Sequence, residues 1–210
     1  TFKIDTSMAK QQSQWRFLFT KEMGKIRGEI SDGTVVVFDG RQTWISPASA
    51  PAPGAGFWVK TVPYFALAPF KLRDPGVHLT LIGKKPLRGQ QLDAARLTFD
   101  KTAGETPDDW YIIYKDKDGA LVAMAYIVTY GKTPEEAAKE PHAITFEEPA
   151  KLGGVTLATK WRFWNWNEAE GITGEPIGDA RLTELKFVKP GDKAFLEPED
   201  ARRDPGPPGK

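Results

Sequence analysis

The sequence predicts a mainly β protein built on a single open, strongly curved antiparallel sheet. Short apolar runs of strand length recur along the 210 residues, with turn-forming residues between them. There are roughly nine or ten such runs, and one sheet of that size must curl, close or split. The apolar segment Phe57–Leu72 does not fit a strand, because two prolines break it. We expect it to form short helices that plug the concave face of an antiparallel half-barrel.

The strands are assigned from the apolar runs and the turns that separate them. Asp39-Gly40 is a strong hairpin signal, because a type I′ turn requires positive φ angles, and Asp116–Gly119 marks a second hairpin. Both arms of the second hairpin are apolar at nearly every position, which predicts that both of its faces are covered. The predicted strands cover residues 15–19, 35–38, 42–46, 77–82, 95–99, 110–114, 121–130, 143–147, 155–166 and 181–188.

Prolines and helix caps place the remaining elements. Pro63 and Pro69 suit the first turns of short helices, where the missing N–H costs nothing. Thr133, followed by a proline and two glutamates, predicts another helix start. The loop at 47–56 is rich in Pro, Ala and Gly and should be mobile. We expect one domain over residues 1–197 and a disordered, Pro- and Gly-rich tail over 198–210.

Composition excludes several classes of function. The formal net charge is +1 and no basic stripe is present, which argues against nucleic-acid binding. The absence of cysteine excludes disulfides, thiolate metal sites and cysteine nucleophiles. No apolar run approaches the roughly 20 residues needed to cross a membrane. No signal segment is present, and this carries little information about location.

Histidine-based chemistry is not expected. The two histidines, His78 and His142, are far apart, and the sequence lacks the metalloprotease, hydrolase and nucleotide-binding motifs. Each histidine is expected to make a local hydrogen bond. The Asp116–Gly119 turn superficially resembles a calcium loop, but it lacks the downstream glutamate that such a loop requires. We therefore predict no metal, no cofactor and no enzymatic activity.

The best acidic group consists of Asp74, Asp108 and Asp109. Adjacent carboxylates can raise one another's pKa and act as acid and base. However, neighbouring residues on a strand point to opposite faces. The alternative is that Thr106–Asp109 forms a capped turn whose carboxylates accept backbone N–H groups, and we favour this interpretation.

The aromatic residues allow two interpretations. They can complete a core with no room for a guest, or the proline-broken segment can shift to admit an apolar ligand. A 14-carbon acyl chain gains on the order of 10 kcal/mol on burial, before association costs of several kcal/mol. The strand faces are assigned by alternation, and a one-residue error exchanges them. The candidate lining residues are Trp44, Phe57, Trp58, Tyr64, Phe65, Phe70, Trp110, Tyr126 and Trp164.

Several stretches between about residues 35 and 201 resemble an uncharacterised family of bacterial envelope proteins. The more specific ones are "PYFALAPFKLRDPG" and "GETPDDWYIIYKDKDGALVAMAYIVTY". Weaker ones are "VFDGRQTW", "GGVTLATKWRFWNW" and "FLEPEDA". The first 30 residues depart from the family pattern. The family looks like a branch of the LolA/LolB-like fold of outer-membrane lipoprotein sorting.

This resemblance implies a LolA-like half-barrel with an apolar cavity and a location in the periplasm or at the outer membrane. The implied function is non-enzymatic binding of a lipid acyl chain or another hydrophobic ligand. An N-terminal anchor upstream of the sequence would tie such a protein to a membrane surface. Two alternatives remain: a protein–protein interaction module with a self-filled core, and an enzyme on the same scaffold that uses Asp74, Asp108 or Asp109.

Overall fold

The computed structural model describes residues 1–8 and 11–207, and within these ranges the chain is mainly β. It forms thirteen strands and three helices. In chain order these are β1 Phe2–Met8, β2 Gln11–Phe19, β3 Ile26–Ile30, β4 Val35–Phe38, β5 Thr43–Ser46, α1 Ala55–Ala66, α2 Ala68–Lys71, β6 Val77–Leu87, β7 Gln90–Phe99, β8 Tyr111–Lys115, β9 Leu121–Tyr126, α3 Pro134–Ala137, β10 His142–Leu152, β11 Val155–Asn167, β12 Gly171–Thr183 and β13 Arg202–Arg203.

All the strands belong to one open antiparallel sheet. Its order is β13-β5-β4-β3-β2-β1-β12-β11-β10-β9-β8-β7-β6, so β13 and β6 are the two edges of the described sheet. Most neighbours in the sheet are also neighbours in the chain, as short turns require. The prediction of one large open antiparallel sheet with few short helices is confirmed.

The predicted strands match the structure in most places and differ in five. β1, β3 and β13 are additional, and the last predicted strand is shifted, because β12 runs over Gly171–Thr183 instead of residues 181–188. The strand predicted at 121–130 ends at Tyr126. β12 contains three glycines and a proline, which weaken an intrinsic strand signal. It forms a strand because long strands pair with it on both sides.

The chain divides into two compact units. Unit 1 contains Thr1–Leu67, Ala150–Leu157 and Ala180–Lys210, and unit 2 contains Ala68–Pro149 and Ala158–Asp179. The single domain expected over residues 1–197 stays a prediction.

In unit 1, large side chains on one face of β1–β5 form an apolar layer. Phe2 lies opposite Phe17, and Phe17 lies opposite Gly28. Gly28 in turn lies opposite Val36, which lies opposite Ile45, so all five share this face. The four large members have at most 2% of their surface exposed. We call this surface the α1 face, because α1 packs against it.

In unit 2, small and large residues alternate to form a second core. Alanines from β7, β9 and β10 lie beside indole and phenol rings, and this combination lets the rings pack close to the sheet. Both faces of the β8–β9 hairpin are buried, as its apolar arms predict. The members of this second core include Ala94, Ala123, Ala125, Ala143, Tyr114, Trp164 and Trp166.

The β6–β7 turn of unit 2 contacts the turn between β11 and β12. A Cβ at Gly171 would overlap the carbonyl oxygen of Pro86, and the φ angle of Gly171 is +77°, so only glycine fits there. Lys85 Nζ lies 3.0 Å from Glu168 Oε1. The guanidinium of Arg88 lies 4.7 Å from the centre of the Trp164 ring. These contacts cover the second core from one side.

The structure corrects two expectations about prolines and the tail. Pro63 lies inside α1 instead of in a first turn, because α1 already begins at Ala55. The tail over 198–210 was expected to be disordered, but Arg202–Arg203 form β13 against β5. The pairing outweighs the disorder-prone composition; residues 208–210 of this prediction lie outside the described residues.

The predicted helix start at Thr133 is present. Thr133 Oγ1 accepts the N–H of Glu136, and Glu136 Oε2 accepts the N–H of Thr133, which completes a capping box. Within the described ranges, no helix has the length and apolar character that a membrane span needs.

Candidate functional site

The candidate site is the layer between α1 and the α1 face of unit 1. The buried residues of α1 recur at helical spacing: Val59, Val62 and Ala66 lie along one side, with Phe65 beside them. This stripe is what an amphipathic helix needs to cover an apolar sheet face. We call α1 the α1 lid.

The lid packs closely against Gly28 on β3. A Cβ there would lie 2.9 Å from the Trp15 ring and 3.2 Å from Val59 Cγ2. The absence of a side chain at Gly28 therefore lets helix and sheet approach each other. Lys60, which also belongs to α1, places its Nζ 4.8 Å from the centre of the Phe38 ring.

A buried threonine hydroxyl lies in this apolar layer. Thr43 lies opposite Phe38 and so belongs to the α1 face. Its residue surface is 4% exposed, and its hydroxyl has no hydrogen-bond partner among the described residues. A buried hydroxyl without a partner costs free energy that a ligand's polar group can recover.

The first turn of α1 carries no capping side chain of its own. Gly54 occupies the N-cap position with φ 68°, and no acidic residue lies in the first turn. The carboxylate of Asp204 lies over this turn instead. A Cβ at Gly56 would overlap its Oδ2 and lie 2.7 Å from its Cγ.

Residues 199–206 hold Asp204 in place, and we call them the C-terminal strap. Arg202 lies opposite Ile45 in the β13–β5 pair. The N–H of Asp204 donates to the Thr43 carbonyl at 2.8 Å, and Ser46 Oγ donates to the Glu199 carbonyl at 2.9 Å. Arg202 also donates to the Ala50 carbonyl at 3.2 Å. The strap thus joins β5 to the loop that precedes α1.

The predicted lining residues of unit 1 differ in their burial and in the sheet face that they occupy. Phe65 is buried on the inner side of the lid, with 5% exposure. Phe57 and Tyr64 are half-buried, and Trp58 is 39% exposed. Trp44 lies opposite Val37 and faces away from the lid, which corrects its assignment to the lining. Its Nε1 donates to Asp39 Oδ2 at 2.9 Å.

The predicted lining residues of unit 2 do not form one surface. Trp110 and Trp164 belong to the second core or pack against it. Trp164 is held there, since its Nε1 donates to Thr145 Oγ1 at 3.1 Å. Tyr126 lies opposite Tyr111, on the other face, and burial raises its pKa. Phe70 in α2 is 51% exposed.

Sequence reasoning missed several residues of the site. Val59 and Ala66 carried a usable signal, because with Val62 they follow a helical period through the predicted plug. No such sequence signal marked Gly28 or Asp204. Their roles depend on which distant segments come together, and local pattern does not contain that information.

The acidic residues weighed as catalytic groups are engaged in local contacts. Asp74 pairs with Lys71, and Asp108 Oδ1 lies 2.5 Å from Lys101 Nζ. Asp109 Oδ1 accepts both the N–H and the hydroxyl of Thr129 at 2.7 Å. Burial raises the pKa of Asp109, and the Thr129 hydrogen bonds oppose that rise.

The histidines also have neighbours. His78 Nε2 lies 2.6 Å from Asp100 Oδ1, and the His142 ring stacks edge-on against Tyr126 at 6.3 Å. Across the described residues, no three metal-binding side chains converge on one point.

A separate open cleft of about 220 Å³ lies on unit 1. Its rim is charged: Lys3 Nζ lies 2.6 Å from Glu184 Oε1, and Arg16 lies 3.9 Å from the same carboxylate. Balanced ion pairs of this kind do not define an apolar pocket. Its lining consists of Lys3, Gln14, Trp15, Arg16, Glu29, Ile30 and Ser31.

Comparison with solved structures identifies the fold as LolA-like. A LolA superfamily protein from Nitrosomonas europaea matches 93% of this chain and 90% of its own, with a TM-score of 0.56 and 11% identity. A DUF1329 family protein from Desulfovibrio piger matches 92% and 87%, with a TM-score of 0.54 and 14% identity.

A third similar structure is a Vibrio parahaemolyticus domain described as an outer membrane lipoprotein-sorting protein. It matches 93% of this chain and 87% of its own, with a TM-score of 0.53 and 12% identity. No protein-family model matches the chain, and no curated protein matches it in sequence. The expectation of a LolA-like fold, drawn from the resemblance, is confirmed.

Proposed function

We propose that this protein is a non-enzymatic binding protein of the bacterial envelope that holds an acyl chain, or another apolar ligand, between the α1 lid and the α1 face. The observation that carries the proposal is the lid itself, a helix whose buried stripe covers an apolar sheet face. The lipoprotein-sorting description of the Vibrio domain supports a periplasmic setting and a lipid-like ligand.

The energetics allow a ligand to replace the lid. Val59, Val62 and Phe65 are the large buried side chains of α1. Each contributes about 1.5–3 kcal/mol by burial, so displacing them costs roughly 5–9 kcal/mol. A 14-carbon chain gains on the order of 10 kcal/mol in the same environment. The free energy gained by burying the chain is comparable to that lost by displacing the lid. A ligand can therefore replace the lid side chains on the α1 face.

The unpaired hydroxyl of Thr43 suggests an orientation for the ligand. It is the polar atom of the apolar layer that lacks a partner among the described residues. A carboxyl or ester group at the end of an acyl chain would pair with it, while the chain lies along the apolar side chains. The ligand would therefore be amphipathic, with a single polar end.

The test locks the lid against the sheet. The chain contains no cysteine, so the pair Gly28→Cys and Val59→Cys introduces the only two thiols. Cβ atoms of a disulfide lie about 3.5–4.5 Å apart, and a Cβ at Gly28 would lie 3.2 Å from Val59 Cγ2. We expect the reduced double variant to bind a fluorescent fatty acid and the oxidised form to lose binding.

The single-cysteine variants serve as controls, since they change the same positions without forming a bridge. Native mass spectrometry of protein purified from a membrane-containing lysate should also show co-purifying lipid. Equal probe binding in the oxidised and reduced forms would exclude the layer under the lid. No probe binding and no lipid in the unmodified protein would overturn the proposed function.

A second candidate function is an interaction module that binds an extended strand of a partner protein. It is favoured by the β6 edge of the sheet, where Leu79 is 45% and Leu81 80% exposed. The stretch 77–82 contains no lysine, glutamate or proline, the residues that usually protect an edge. In unit 2, Trp164 and Trp166 fill their own core, as this alternative requires.

Pull-down from an envelope extract separates the two candidates. Leu81→Lys places a charge on the exposed edge, whereas Leu196→Lys changes another exposed leucine (56%) elsewhere. The interaction module predicts a partner that Leu81→Lys loses and Leu196→Lys retains. If both variants behave like the unmodified protein, the edge is not a binding site.

A further inference from the structure

We propose that the C-terminal strap is the latch of the α1 lid and that Asp204 is the residue that fastens it. The purpose of the latch, control of ligand entry, depends on the proposed function. The latch itself depends only on contacts within unit 1.

The first step is the uncapped start of α1. The first N–H groups of a helix have no partner within it, and they carry the positive end of the helix dipole. Gly54 at the N-cap has no side chain that could accept them, and the first turn, Ala55 to Phe57, contains no acid. A carboxylate from elsewhere in the chain is the group that this helix end requires.

The second step is the position of Asp204. Its carboxylate lies where the side chain of residue 56 would be, and Gly56 makes the space for it. Oδ2 accepts the N–H of Gly206 at 3.3 Å, which fixes the carboxylate within its own segment. Asp204 therefore brings a negative charge to the first turn of α1 from a part of the chain about 150 residues away, where the helix dipole favours it.

The third step is that the strap is attached independently of the lid. The β13–β5 pair and the Asp204 N–H to Thr43 carbonyl bond connect it to the sheet. Arg202 connects it to the loop before α1 through the Ala50 carbonyl. When the strap detaches, the start of the lid loses the Asp204 carboxylate and the loop loses its anchor at the same time.

The strap also lies beside the polar end of the apolar layer. Thr43 contributes its carbonyl to the strap and its unpaired hydroxyl to the layer under the lid. Detachment would therefore open the layer at the end where a ligand's polar group would be placed. The order of events is strap first, lid second, ligand third.

Hydrogen exchange of the lid in the absence of any ligand tests the latch. Asp204→Ala removes the carboxylate at the start of the lid, and Asp192→Ala removes an exposed carboxylate of the same C-terminal region as a matched control. A favourable charge at a partly buried helix N-terminus corresponds to about a tenfold change in the opening equilibrium. We expect the amides of Val59–Phe65 to exchange about tenfold faster in Asp204→Ala and unchanged in Asp192→Ala.

Gly56→Ala provides a second test, because its effect on hydrogen exchange of the lid should reverse when the Asp204 carboxylate is absent. In the unmodified chain the added methyl group overlaps the Asp204 carboxylate, so lid exchange should become faster. In the Asp204→Ala background this overlap is gone, and alanine is a better helix former than glycine. The same substitution should then slow lid exchange.

Two outcomes overturn the latch. One is lid exchange in Asp204→Ala equal to that of Asp192→Ala, and the other is the same direction for Gly56→Ala in both backgrounds. The rate of fluorescent fatty-acid uptake is a separate measurement. If lid exchange responds but no probe binds in any variant, the latch stands and the proposed function fails.

Discussion

Asp109 is a buried carboxylate that joins the start of β8 to the segment after β9. Its raised pKa means that the folded state binds protons more tightly than the unfolded chain, whose aspartate pKa is about 3.9. The stability contributed by this protonation is complete below the unfolded pKa and is lost as the pH rises through the folded one. At neutral pH the buried charge of Asp109 therefore destabilises the folded state, whereas the hydrogen bonds to Thr129 stabilise it.

We predict that Asp109→Asn and Asp109→Ala differ. The asparagine keeps an acceptor oxygen for Thr129 and removes the pH dependence from this group. The alanine leaves the buried N–H and hydroxyl of Thr129 unpaired, at an expected cost of about 1–3 kcal/mol. Urea unfolding between pH 4 and 7, with Asp108→Asn as the surface control, measures this. Equal stability of the two variants would contradict the bonding role.

Thr43 provides the opposite case, a buried hydroxyl without a bond. Thr43→Val replaces the hydroxyl by a methyl group of similar size, and we expect an increase of about 1 kcal/mol in the free energy of unfolding. Thr129→Val is the matched comparison, because the Thr129 hydroxyl donates to Asp109 and its loss should destabilise. The urea unfolding midpoints of the two variants and the unmodified protein are compared. A loss of stability in both variants would show that the Thr43 hydroxyl has a hydrogen-bond partner.

At the scale of the element, α1 depends on one glycine of the strand beneath it. Gly28→Ala adds a methyl group between Trp15 and Val59, at an expected cost of about 1–3 kcal/mol. Gly191→Ala is the control, because nothing lies within 4 Å of its added Cβ. Thermal unfolding measures both, and Val59→Ala in the Gly28→Ala background should recover part of the loss. A neutral Gly28→Ala would mean that the lid is not packed at this point.

Elements with a local signal could be predicted from the sequence. The β4–β5 hairpin follows from Asp39-Gly40, whose aspartate accepts the N–H groups of Arg41 and Gln42 at 2.8 Å. The start of α3 follows from the Thr133 cap. The position of Pro63 could not be predicted, because helix packing against the α1 face starts α1 eight residues earlier.

At the scale of the whole molecule, residues 199–206 pack against the elements of unit 1 that residues 1–67 form. β13 and the strap bind β5 and the loop before α1, all within unit 1. Composition alone favoured disorder for these residues, since it does not show which strand edge is available for pairing. The LolA-like architecture could be predicted, whereas the contacts that fasten the lid could not.

We predict that ending the chain after Glu197 weakens the fold. The shortened chain loses the β13 pairing and the bonds of Ser46, Ala50 and Thr43 to the strap. At about 0.5–1.5 kcal/mol for each hydrogen bond, the expected loss is roughly 2–5 kcal/mol. A chain ending after Pro207 keeps the strap and serves as the control. Urea unfolding compares the two, and identical midpoints would show that the strap adds no stability.

The exposure of Trp58 gives the lid an optical signal of its own. All seven tryptophans lie within the described residues, and Trp58 is the one with more than a third of its surface exposed. A small neutral quencher such as acrylamide should therefore extinguish the emission of this indole first. A change in the quenched fraction would report movement of the helix in the unlabelled protein, in real time.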